Sequence, residues 1–150
     1  MSLDPALSLQ LMLGIRGGTR VSLVNAPHGF LLQLGTLPPG AEFLQSARTG
    51  LDLIVFFCQG KRDLLEKLPG LARSMAFTGA LWVMYERLEH PPLRSDALVE
   101  DFVRFAAFEI GMMDNKRLTL LEPWNGLRLV WQRRSPRPEK PSQAGDPPSC

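Results

Sequence analysis

The chain has 150 residues, 45% of them hydrophobic and 21% charged, with a net charge of +2. That is the balance of a soluble globular domain long enough to bury a core, and the charge is too small to imply an acidic partner. Two cysteines, Cys58 and Cys150, make neither a disulfide framework nor a metal set and fit a reducing cytoplasm. No apolar run reaches the roughly 18 residues of a membrane span, and the amino terminus lacks the pattern of a signal peptide.

Asp4-Pro5 reads as a helix cap followed by proline in the first turn, and Ala6, Leu7, Leu9, Leu11, Met12 and Leu13 make a short apolar helix that docks on the domain. Gly14, Gly17 and Gly18 turn the chain into a first strand, RVSLVN, ending at Asn25-Ala26-Pro27. His28-Gly29 leads into a short helix, Phe30 to Leu34, closed by Gly35. Pro38-Pro39-Gly40 breaks the chain again, and Ala41 to Leu44 is a second strand.

The stretch from Leu51 to Tyr85 reads as strand, helical crossover, strand. Leu51, Leu53, Ile54, Val55, Phe56 and Phe57 form a nearly unbroken apolar run, which implies a strand covered on both faces, as in a parallel sheet between helix layers. Leu64, Leu65, Leu68, Leu71, Ala72 and Met75 recur on one helical face. Pro69-Gly70 predicts a helix to about Lys67, a kink and a second short helix. Thr78-Gly79 reads as a turn into the buried strand Ala80 to Tyr85.

Ser95 or Asp96 caps a helix whose Leu98, Val99, Phe102, Val103, Ala106 and Ile110 share a face, with Gly111 ending it. Lys116 to Leu121 and Leu127 to Trp131 read as strands separated by residues 122–126, in which Asn125-Gly126 is a hairpin signal. Residues 135–150, rich in Pro, Ser and Gly, read as a disordered tail. The domain therefore covers residues 1–134, with the helix at 1–13 docked on it. Alternation ending in a hairpin predicts a three-layer α/β domain with a mostly parallel sheet of about six strands, order 2-1-3-4-6-5, the last strand antiparallel.

LGIRGGTRVSLVNAPHGF at 13–30, LDLIVFF at 51–57, GALWVMY at 79–85 and EPWNGLRLV at 122–130 together resemble a family of small bacterial proteins of unknown function. The resemblance spans about residues 13–133. It implies a Rossmann-like fold related to S-adenosylmethionine (SAM) methyltransferases, which end in such a hairpin, and it brings no established activity. Three expected features of those enzymes are missing. The turn after the first strand is NAPHGF, with one glycine where several are expected. The second strand has no carboxylate at its carboxyl end. Cys58-Gln59-Gly60 replaces the Asp/Asn-Pro-Pro-aromatic motif.

The candidate cofactor cleft is Asn25, His28, Gly29, Cys58 and Tyr85, all at carboxyl ends of strands, where open α/β sheets place ligands. No catalytic residue is assigned. His28 either binds an anion there or is a solvent-exposed turn histidine. Cys58 is either a nucleophile or an idle buried thiol. Trp124 reads as a partner anchor or as packing over the sheet edge, and Arg128 faces solvent or a cleft. Arg133, Arg134, Arg137 and Lys140 fit a solubilising tail better than a nucleic-acid site, because Glu139 and Asp146 lie among and beyond them and no aromatic is interleaved. His28 and His90 are too far apart in sequence to suggest a metal pair.

The expectation is a non-catalytic or regulatory protein on a methyltransferase-like scaffold, with or without a small nucleotide-like ligand such as SAM. The alternatives are a divergent SAM-dependent methyltransferase and a thiol-dependent enzyme using Cys58. A protein partner or homo-oligomer fits the first reading; neither nucleic acid nor membrane is expected as a partner.

Overall fold

A computed structural model describes residues 4–45, 49–87, 98–121 and 123–132. The elements run α1 (Pro5–Leu13), β1 (Arg20–Val24), α2 (Phe30–Leu34), β2 (Glu42–Phe43), β3 (Leu51–Phe57), α3 (Lys61–Ser74), β4 (Met75–Glu86), α4 (Glu100–Glu109), β5 (Met112–Leu121) and β6 (Trp124–Trp131). The six strands form one sheet in the order β2-β1-β3-β4-β6-β5, as the sequence predicts. β1, β2, β3 and β4 are parallel, and β6 runs antiparallel to both β4 and β5.

The continuous apolar runs account for the centre of the sheet. Every residue of β3 except Asp52 is buried. Alternation along the strands divides the core in two. Ile54, Phe56 and Cys58 with Leu81, Val83 and Tyr85 face the layer of α3 and α4. Leu53, Val55 and Phe57 with Ala80, Trp82 and Met84 face α1 and α2. At the two margins, β2 is only two residues long, and β5 carries Asp114, Lys116 and Arg117 along its length.

Each end of α1 is fixed by a residue visible in the sequence. The Asp4 carboxylate accepts from the backbone N–H groups of Ala6 (3.1 Å) and Leu7 (3.3 Å), and Gly14 takes the left-handed φ of 94° that ends the helix. Buried polar contacts then fasten it. The Trp82 indole N–H donates to the Leu13 carbonyl (2.9 Å), while Gln10 Nε2 donates to the carbonyls of Leu34 (2.7 Å) and Thr36 (2.8 Å).

The described residues require several corrections. First, α3 is one helix that passes through Pro69 without a break. The N–H that proline lacks would have met the carbonyl of Leu65, whose side chain lies on the exposed side of the helix, so solvent is close to the orphaned group.

Second, Thr78-Gly79 makes no turn, because β4 already begins at Met75. Leu51 pairs with Met75 and Leu53 with Ala80, so two steps of β3 face five of β4 and the surplus is taken up as a bulge. A Cβ at Gly79 would stand 2.9 Å from the Leu51 carbonyl oxygen, which explains the glycine there.

Third, Asn125-Gly126 is not the hairpin turn. Leu121 pairs with Trp124, and Asn125 and Gly126 are ladder residues opposite Tyr85 and Met84. Gly126 leaves space that buried neighbours fill: a Cβ would lie 2.6 Å from Met84 Sδ and 3.2 Å from Trp82 Cε3. β5 likewise starts at Met112, four residues before the predicted strand. The predicted caps Ser95 and Asp96 fall outside the described residues, as do His90 and the tail with Arg133, Arg134, Arg137 and Lys140. α4 begins at Glu100 after Val99, so Leu98 precedes it and is buried, and Gly111 follows its end at φ 90°.

Candidate functional site

The carboxyl ends of β1, β3 and β4 lie side by side. Val24 pairs with Phe56 and Phe57 with Met84, so Asn25, Cys58 and Tyr85 end three adjacent parallel strands within two rungs of the ladder. The Cys58 N–H donates to the Met84 carbonyl (2.8 Å) and carries the pairing one step past β3. Asn25 is exposed at φ 58°, the only non-glycine residue with positive φ among the described residues. Asparagine accommodates this conformation better than most residues, because its short polar side chain tolerates the left-handed region. Gly29, at φ 92°, then leads into α2.

These five predicted residues do not share one face. Cys58 and Tyr85 point into the α3–α4 core. His28 and Gly29 are exposed in the loop that enters α2, whose Phe30 and Leu34 pack on the other face. Asn25 stands between the two groups at the strand end. The Cys58 thiol is buried, 3.2 Å from the Gly60 carbonyl oxygen to which it donates.

On the α2 side, aromatic rings fill the layer beneath the strand ends. Phe57, fully buried, meets Phe30 edge-on at 4.9 Å between centroids and Trp124 edge-on at 5.1 Å. Trp124 therefore packs over the sheet, which is one of its two predicted roles. Edge-to-face contacts suit the ring quadrupoles and add to the burial.

On the α4 side, Tyr85 opens a polar network that sequence reasoning did not assemble. Its hydroxyl donates to Glu100 Oε1 (3.3 Å), and Glu100 Oε2 is bound by Arg117 (2.5 Å) and by Arg104. Arg104 also reaches Asp114 (3.1 Å) and Asp101 (3.3 Å). Burial, followed by the nearby Glu100 charge, pushes the Tyr85 phenol up to about 12. Burial also acts to raise the Glu100 carboxyl, but hydrogen bonds from Arg117 and Arg104 outweigh it and hold the group below the usual carboxylate range. The Arg104 guanidinium is pushed above its ordinary value by the hydrogen bond to Asp114. Glu100 and Arg104 have the spacing of a helical ion pair, which was the one sequence signal available; Arg117 and Tyr85 join only through the fold.

Asn125, paired with Tyr85, lies on the same face by alternation. Its amide oxygen is buried without a hydrogen-bond partner among the described residues. Arg128 lies on the opposite face, half-buried, with Nη1 donating to Asn115 Oδ1 (3.1 Å). Burial and then the charge of Arg16 lower its guanidinium from the ordinary value. No group of three or more His, Cys, Asp or Glu side chains that could hold a metal occurs among the described residues. No helix among them is long and apolar enough to cross a membrane.

The site can thus offer backbone groups and an amide at Asn25–Gly29, a buried thiol, and a phenol tied to a carboxylate. It offers no carboxylate at the ends of β1 or β2, where Val24-Asn25 and Leu44-Gln45 are neutral. A ribose held through its hydroxyls would have to use amides instead.

No protein-family model matches the chain, and no curated protein matches it in sequence. Solved structures do match its fold. Mitomycin 7-O-methyltransferase MmcR superposes with a TM-score of 0.62 at 12% identity over 85% of this chain, which spans about half (53%) of that enzyme. A putative type 11 methyltransferase from Sulfolobus solfataricus gives 0.59 at 16% identity, covering 89% of this chain and 95% of that one. A SAM-dependent methyltransferase from Thiobacillus denitrificans, solved with S-adenosyl-L-homocysteine, gives 0.57 at 11% identity over 88% and 92%. At these identities the likeness is one of architecture: the chain has a SAM-methyltransferase-like fold.

Proposed function

We propose that this chain is a regulatory or binding protein on a methyltransferase-like scaffold, taking at most a small nucleotide-like ligand at Asn25, His28 and Gly29. The observation that carries this reading is the filled layer beneath the strand ends. Phe30 and Phe57 are buried against each other and offer no open ring face, and the Cys58 thiol is engaged with Gly60. The neutral ends of β1 and β2 support it, because they lack the charge that orients a cofactor ribose in related folds.

A divergent SAM-dependent methyltransferase is the second reading. It is favoured by the fold shared with a protein solved with S-adenosyl-L-homocysteine. The Tyr85–Glu100–Arg117 network beside the cleft also supports it, as a place for a polar substrate.

Thermal unfolding with millimolar SAM or S-adenosyl-L-homocysteine separates the two. A ligand at about 100 times its Kd adds about 2.7 kcal/mol, a shift of several degrees. A shift removed by Asn25→Gly, which keeps the backbone conformation and deletes the amide, would establish a ligand site at this cleft. Methyl transfer from labelled SAM to any acceptor by such a protein would replace the binding reading with the enzymatic one. An unchanged melting curve with both ligands is the expected result if the scaffold has lost the cofactor.

A further inference from the structure

We propose that the outer face of α1 and α2 is the interface for a second copy of this chain, with the two α1 helices packed antiparallel. The inference rests on a contrast in charge between the two helix layers, since α3 and α4 also expose Leu65, Phe105 and Phe108 but set them among charged residues. α3 holds Lys61, Arg62, Asp63, Glu66, Lys67 and Arg73, and α4 holds Glu100, Asp101, Arg104 and Glu109. Across the sheet, PALSLQLML and FLLQL contain no charged residue at all. A solvent-facing helix ordinarily carries a polar outer stripe. Here the outward positions are leucines: Leu7 is 40% exposed, Leu11 51%, Leu31 57% and Leu32 86%.

These leucines sit on adjoining elements. Gln10 bonds to the end of α2, and an added Cβ on Gly35 would stand 2.8 Å from Ala6 Cβ, so α1 and α2 are in direct contact. Leu7 and Leu11 are one turn apart beside that contact. Exposed leucines on two helices in contact suit an interaction site better than an open, solvated face.

The charges at the two ends of α1 point to the occupant. Asp4, exposed, caps the amino end. At the carboxyl end lie Arg16 and the Lys116 ammonium, the latter 3.5 Å from the Met12 carbonyl. The helix is about 14 Å long. Turned end for end on a two-fold axis, a second copy sets its Asp4 beside Arg16 and Lys116 of the first, and the reverse contact follows by symmetry. The apolar centre is self-complementary because it has no charge to match.

Sedimentation velocity of the full chain over a wide concentration range tests the proposal. The expected result is a dimer that Leu11→Glu and Leu32→Glu each weaken by at least about tenfold. Leu65→Glu, on the charged layer, should leave it intact. Leu32 is too exposed for its replacement to unfold the chain, and unchanged circular dichroism of both variants confirms this. Asp4→Ser keeps a helix cap while removing the charge, and should weaken the dimer and reduce its sensitivity to salt.

A monomer at every concentration overturns the proposal, as does a dimer indifferent to both leucine substitutions. Flotation with phosphatidylglycerol vesicles is the remaining arm: a monomer that floats, and stops floating as Leu11→Glu, would assign the face to lipid instead.

Discussion

Tyr85 is the only tyrosine in the chain, so the near-ultraviolet absorbance of its phenolate reports one residue. The unfolded phenol ionises near 10.0 and the folded one near 12. Because the folded value is raised, the contribution to stability is complete below pH 10 and is lost as the pH rises toward 12. Glu100→Gln should bring the phenol part of the way back, since burial, the largest cause, remains. A native-state phenolate appearing already at pH 10 would sink the buried Tyr85–Glu100 contact. Glu100 is the opposite case: its lowered carboxyl contributes stability that is complete above the ordinary carboxylate value and is lost as the pH falls from there through the lowered one. Tyr85 was legible as a strand-end residue because it closes an apolar run. Its partners were not, because Arg117 lies 17 residues from Glu100 in sequence and no local spacing links them.

Among the elements, α1 shows how a helix without charge is held in place. Trp82→Phe removes the donor to the buried Leu13 carbonyl, and Gln10→Leu leaves the carbonyls of Leu34 and Thr36 without theirs. Each should cost about 1–3 kcal/mol in chemical denaturation. A loss below a few tenths would mean that α1 is held by apolar packing alone. Capping and apolar periodicity made α1, α2, β1, β3 and the second half of β4 readable, since their signals are local. The hairpin was misread for a physical reason. Asn-Gly favours a tight turn in isolation, but here Gly126 is required beneath Met84 and Trp82, and pairing with β4 overrides the turn preference. The start of β5 was missed because the polar, largely solvated Asp114 to Lys116 interrupts its apolar pattern, as a strand at the margin of a sheet allows.

At the scale of the molecule, the sheet should open from its sides. Amides of β1, β3 and β4 should exchange with deuterium most slowly, and those of β2 and of the outer side of β5 soonest. Equal protection in β5 and β3 would contradict the strand order. Those two margins also govern how this protein meets its neighbours. A two-residue strand on one side offers almost no template for a foreign strand. On the other, Asp114, Lys116 and Arg117 tax any chain that tries to dock there. Growth by strand addition, the route to fibrils, is therefore disfavoured at both ends. Association is left to the helical faces, where a two-fold contact of the kind proposed would close on itself and stop at two subunits.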